Sequence, residues 1–291
     1  RDSRRGEQVL PAITQVVPSG FGAKFGSAQM GLWLESCNTV GGYVCGTNDF
    51  KTEFETNGKG IWSFLVGLGD PTKIVGLDVG LQITSLSTTR PNQSTAGTAF
   101  GSGQGIDLAI SRNLSENTSF KVGALNLIEL DEVQLDQGRS AYAVLSSRFD
   151  LGGPTEENSN DLYATIGIAN GRFRPLNAIV DDQAQECARD EAKNGSRTKF
   201  KYGDVCNVWG LDYGNPYPVA SLAYLINPQI SLIAEWWGRN LSLAASIKPF
   251  PNLNWVITPG VTSLIKNADW DPNYPGYTDT VRFQLTTSVG F

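Results

Sequence analysis

Val281-Arg-Phe-Gln-Leu-Thr-Thr-Ser-Val-Gly-Phe291 is the stretch that decides the fold. Val281, Phe283, Leu285, Val289 and Phe291 fall on one side of an alternating pattern, and Arg282, Gln284, Thr286, Ser288 and Gly290 on the other. Successive side chains of a β-strand point to opposite faces, so this segment reads as a strand with one apolar and one polar face. A soluble sandwich would turn the apolar face inward. A membrane-spanning β-barrel turns it outward to lipid and keeps the polar face for the lumen.

Composition narrows the choice. The chain has 291 residues and no run approaching the roughly 18 apolar residues of a membrane helix, so any crossing must be made by strands. Gly is abundant at 32 residues, Met occurs once and long helical patterns are lacking, which favours an all-β fold. A net charge of −6 and a pI near 4.8 argue against a nucleic-acid partner. Histidine is absent, which removes Ser-His-Asp and Cys-His catalysis and His-ligated zinc.

Four cysteines fall as two local pairs, Cys37 with Cys45 and Cys187 with Cys206, each within a polar segment and neither with zinc-finger spacing. They read as two loop-closing disulfides of an oxidising compartment, each worth about 3 kcal/mol in the chain-entropy model. Four cysteines permit three connectivities, and free thiols are the bland alternative. The opening Arg1-Asp-Ser-Arg-Arg-Gly carries no apolar signal core, so the expectation is an exported chain whose signal peptide is already removed.

Period-2 alternation bounded by turn residues predicts twelve strands, near 28–36, 59–68, 74–86, 103–111, 119–128, 140–149, 162–170, 217–226, 229–237, 240–249, 255–264 and 281–291. Every second connection is short, while the others are long except at Gly238-Arg239. Strands that alternate direction gather short links at one end and long ones at the other, which is the asymmetry of an up-and-down antiparallel transmembrane β-barrel of about twelve strands. Trp33, Trp62, Trp236 and Trp237 sit toward the long-loop side and Phe120, Phe149, Trp255 and Phe291 toward the short-turn side, as two interfacial belts would require. The expected organisation is residues 1–20 as a periplasmic tail or a plug, with 21–291 as the barrel.

The terminal strand ending on Phe291 resembles the closing strand of Gram-negative outer-membrane barrels. Gly20-Phe-Gly-Ala-Lys-Phe-Gly-Ser, Val66-Gly-Leu-Gly-Asp-Pro, Val75-Gly-Leu-Asp-Val-Gly-Leu-Gln-Ile-Thr-Ser-Leu-Ser, Leu232-Ile-Ala-Glu-Trp and Ile257-Thr-Pro-Gly resemble cyanobacterial outer-membrane barrel proteins of unassigned function. The resemblance implies an outer-membrane location, contact with membrane lipid and lipopolysaccharide, and recognition by barrel-assembly machinery through Phe283, Leu285, Val289 and Phe291. It supplies no catalytic residues.

The alternation assigns Asp78, Gln82, Asp107, Lys121, Arg148, Glu235, Lys248, Arg282 and Gln284 to the lumen. Opposed charges across a narrow twelve-strand pore would orient a polar solute, whereas charges that pair with one another would close it. The 171–216 connection either folds inward or caps the outside. Asp269, Asp271 and Asn273 form a weak calcium candidate, because the loop lacks the Gly and Glu of a calcium-binding loop at the required positions. Glu235 beside Trp236 and Trp237 has no second carboxylate to make a glycosidase pair. The expected function is non-enzymatic and cofactor-free: a narrow porin-like channel for ions or small polar solutes, with homo-oligomerisation left open. The alternative is a non-conducting structural or adhesion barrel that presents disulfide-stapled external loops.

Overall fold

The computed structural model describes residues 10–35, 59–83, 103–130, 139–152, 160–175, 178, 213–265 and 281–291. Twelve strands are present: β1 (Ala28–Glu35), β2 (Lys59–Gly69), β3 (Gly76–Ile83), β4 (Gln104–Asn113), β5 (Thr118–Glu129), β6 (Ser140–Asp150), β7 (Asp161–Ala169), β8 (Tyr217–Asn227), β9 (Ile230–Trp236), β10 (Leu241–Ile247), β11 (Trp255–Thr262) and β12 (Arg282–Gly290). Each pairs antiparallel with its neighbours in sequence, and β1 pairs with β12 to close the barrel. Closure removes the unpaired edges an open sheet would expose. At the seam Ala28 and Phe291 exchange backbone hydrogen bonds of 3.2 and 2.8 Å.

The short connections β2–β3, β4–β5, β6–β7, β8–β9 and β10–β11 gather at one mouth, and the long ones at the other. In the β2–β3 turn, Asp70 accepts hydrogen bonds from the Thr72 hydroxyl and backbone N–H, at 2.6 and 2.9 Å. Those two bonds, the hydroxyl first, hold the Asp70 carboxyl below the usual carboxylate range.

Alternation sets what each face carries. In β3 the residues Gly76, Asp78, Gly80 and Gln82 are buried within the barrel, while Leu77, Val79, Leu81 and Ile83 point the other way. Large apolar side chains stand exposed on the outer face, among them Met30, Phe64, Ile110, Val122, Ile166, Leu222, Leu232, Leu243 and Phe283. Two expectations need correction. Trp33 shares the face of Glu35, and Trp237 donates its indole N–H to Thr262 at 3.2 Å, so these two tryptophans face the lumen and only Trp62 and Trp236 face outward. The inner face is also not uniformly polar: in β8 it carries Val219, Ala223 and Leu225, all buried. Cys37, Cys45, Cys187, Cys206, Asp269, Asp271 and Asn273 lie outside the described residues.

Candidate functional site: an occupied lumen

Residues 10–27 form a strap that runs inside the barrel and emerges at the exposed Phe25 and Gly26. Leu10 packs with Tyr163, Ala223, Leu225 and Ile233 near the short-turn end of β8 and β9. Ala12 donates to Ser246 Oγ at 2.8 Å and accepts from Ser231 Oγ at 2.6 Å, while the Ile13 carbonyl accepts from Ser221 at 3.3 Å. The strap then climbs. Gln15, Val16 and Val17 aim three successive backbone N–H groups at the Glu235 carboxylate, at 2.9, 2.8 and 3.0 Å. Val17, 2% exposed, seats among Tyr142, Val144, Phe173 and Val219.

Past this apex the strap descends. Gly20 donates to Ser146 Oγ at 2.7 Å and accepts from Ser119 Oγ at 2.8 Å, and Ala23 donates to Asp78 at 3.0 Å. Phe25 and Gly26 then pair with the backbone of Gly69 and Gly67 before β1 begins. Both limbs therefore reach the short-turn mouth. Close approach explains the glycines: a Cβ on Gly20 would lie 2.5 Å from the Ser119 carbonyl, and one on Gly22 only 1.7 Å from Ser111 Oγ. The apolar inner residues of β8 follow from the same arrangement, since Leu10 and Val17 need apolar partners in the lumen.

The inward-facing charges are mostly paired. Lys121 Nζ lies 2.7 Å from Asp78, Arg148 forms a two-pronged bridge to Asp161 at 2.9 and 3.1 Å, and Arg282 lies 2.9 Å from Glu35. Asp107 accepts from the Gln82 amide and, at 2.7 Å, from the Asn126 backbone. Asn126 adopts φ 53° where β4 and β5 slip register between Ile106 and Leu108. Gln284 is buried beside the β1–β12 seam, and Lys248 is buried on the inner face at the short-turn mouth, its backbone N–H bonded to the Gln229 carbonyl. Sequence reasoning missed Glu35, Asp161 and the three serines on β8, β9 and β10 that grip the strap; the ion-pair partners stand at strand ends, where alternation gives the weakest signal.

At the long-loop side the chain leaving β7 turns inward. Gly171–Phe173 makes one turn of 3-10 helix, Phe173 is fully buried, and the Arg172 guanidinium lies 4.9 Å over its ring. Gly238, at φ +83°, lets the β9–β10 link pass the Phe173 carbonyl, which a Cβ would approach to 1.8 Å. Both limbs of the strap line a cavity of about 250 Å³, whose barrel walls include Gln29, Leu65, Val256 and Ser288 together with Asp78, Lys121 and Tyr163. The site is thus a lumen occupied by its own strap, with a small mixed polar and apolar chamber beside it.

No family model and no curated protein matches the chain. Among solved structures it is similar to an outer membrane channel from Pseudomonas putida F1, at 12% identity and a TM-score of 0.44, covering 95% of this chain and 100% of that one. It is also similar to a FadL homologue from Pseudomonas aeruginosa, at 10% identity and a TM-score of 0.30, with 91% and 90% of the chains covered. OprB from Pseudomonas putida matches at 9% identity and a TM-score of 0.30, covering 91% and 93%. The cyanobacterial resemblance has no counterpart among these three. The barrel assignment rests on the chain's own strand pairing.

Proposed function

We propose that this chain is an outer-membrane β-barrel acting as a narrow channel for ions or small polar solutes, with residues 10–27 as a plug that restricts the passage. The observation that supports this reading is the exposed apolar outer face around a closed barrel whose lumen keeps a cavity beside the strap. In water such a surface would far exceed the apolar patch a soluble monomer tolerates, whereas a bilayer solvates it. Lipid and lipopolysaccharide would cover that face, and Phe283, Leu285, Val289 and Phe291 would present the outward side of the closing strand to the assembly machinery. Asp78, Gln82, Asp107, Arg148, Glu235, Lys248, Arg282 and Gln284 would set the electrostatics of the passage. Because most of the charges are paired, the expected selectivity is weak and the conductance small.

Single-channel recording of the detergent-purified protein in a planar bilayer tests the proposal. Discrete, small, salt-dependent steps are the expected result. A protein that inserts but stays electrically silent under all voltages would instead identify a non-conducting structural barrel.

A further inference from the structure

We propose that water and small polar solutes cross the barrel along the inner face of β12, between that strand and the strap. This deepens the channel reading by naming its route and the side chains that set its selectivity, and it rests on the lumen being traversed. Arg282, Gln284, Thr286 and Ser288 alternate onto the inner face of β12. On β11, Gly260 stands directly opposite Gln284. Gly260 has no side chain, and the strap's Gln15 occupies the place one would fill: a Cβ there would lie 2.7 and 2.8 Å from the Oε1 and Nε2 of Gln15. Opposed residues of an antiparallel pair hold their Cβ positions about 5 Å apart, so the Gln284 side chain reaches the Gln15 amide. Thr286 is the next residue on the same face, about 7 Å along the strand.

Four buried atoms gather here without a hydrogen-bond partner among the described residues: Oε1 and Nε2 of Gln15, Oε1 of Gln284 and Oγ1 of Thr286. Gln284 is only 4% exposed. Both ends of the Gln15 amide are unpartnered, so the result is the same whichever way round that amide lies. Buried polar atoms nearly always pair with protein or with water. This group is uncharged and holds donors and acceptors together, which suits a species that both donates and accepts, such as water or a hydroxylated solute. The row is continuous with the chamber, since Ser288 and Gly290 line its wall, and at the long-loop end it finishes at the Arg282–Glu35 pair. Elsewhere the strap is fastened by hydrogen bonds to side chains of β3, β5, β6, β8, β9 and β10. The route follows the wall where polar atoms face the strap without fastening it.

Stopped-flow light scattering of phosphatidylcholine vesicles carrying the full-length protein, after an osmotic step, reads water passage; bilayer recording in a KCl gradient reads ions. Shrinkage several-fold faster than that of protein-free vesicles is expected. Ser288→Trp, at the chamber end of the row, should return it close to the protein-free rate. Gln284→Glu and Gln284→Lys should move the reversal potential in opposite directions, toward cations and toward anions, a split that a structural role for Gln284 does not produce. If those two variants fail to fold, Thr286→Asp and Thr286→Lys carry the same test. Shrinkage at the protein-free rate, unchanged shrinkage in folded Ser288→Trp, or one reversal potential for all folded variants would overturn the route. The two claims separate cleanly: a conducting protein whose variants all match it overturns this inference alone, and fast shrinkage abolished by Ser288→Trp in an electrically silent barrel overturns ion conduction alone.

Discussion

Glu235 shows how one residue organises the lumen. Its buried carboxylate satisfies three consecutive N–H groups at the apex of the strap, of which that of Val17 would otherwise be buried without this partner. Each such orphaned donor costs about 1–3 kcal/mol. Glu235→Ala should therefore loosen the apex and raise the open-state conductance in planar bilayers; a folded variant with wild-type traces would show that the strap is held elsewhere. Gly238 is a second such position. Gly238→Ala forces a side chain into left-handed backbone at a cost of about 1–2 kcal/mol, before the clash with the Phe173 carbonyl is added, and should lower the urea unfolding midpoint. Glu235 was legible as a lumen residue from the alternation of β9. Its partners were not, because backbone N–H groups leave no trace in a sequence. Leu10, Val17 and Phe21 carried a usable signal nonetheless: an apolar run without strand periodicity must be covered by something.

The strands were legible almost throughout, with bounds within a few residues, since a half-buried strand writes its two faces into the sequence. β3 is the clearest case. Leu81→Arg on its outer face should cost about 2–4 kcal/mol if it lies near the bilayer midplane, while the adjacent Gln82→Arg, beside the Asp107 carboxylate, should be tolerated. Urea titrations of both variants refolded into lipid vesicles check this, and the reverse order would mean that the faces are assigned backwards. β8 marks the limit of the method. Its inner Val219, Ala223 and Leu225 and outer Leu222, Tyr224 and Ile226 are apolar on both sides, so Ser221 is the one polar residue among them that marks the inner face. The double apolarity arises because one face meets the strap and the other faces outward, and no local pattern distinguishes these two solvents.

On the scale of the whole molecule, strand count and the sorting of short and long connections defined the barrel, whereas the filling of its lumen depends on contacts between segments far apart in sequence. Removing residues 1–23 keeps the Lys24–Ser27 backbone that pairs with β2 and should leave the barrel closed. The shortened protein is expected to conduct several-fold more current per channel than the full chain. Equal conductance would show that the passage is limited elsewhere, with the inward turn at Phe173 the next constriction to test.

Both limbs of the strap reach the same mouth, and this has a mechanical consequence. Tension on the limb at Leu10, directed out of the short-turn mouth, would load first the bonds from Ala12 to Ser231 and Ser246, then the one from Ser221 to Ile13, and only afterwards the cluster at Glu235. Bonds broken in succession yield at far lower force than bonds sheared together. The strap would therefore peel from the wall like tape, each group of bonds loading its own strand only in its turn.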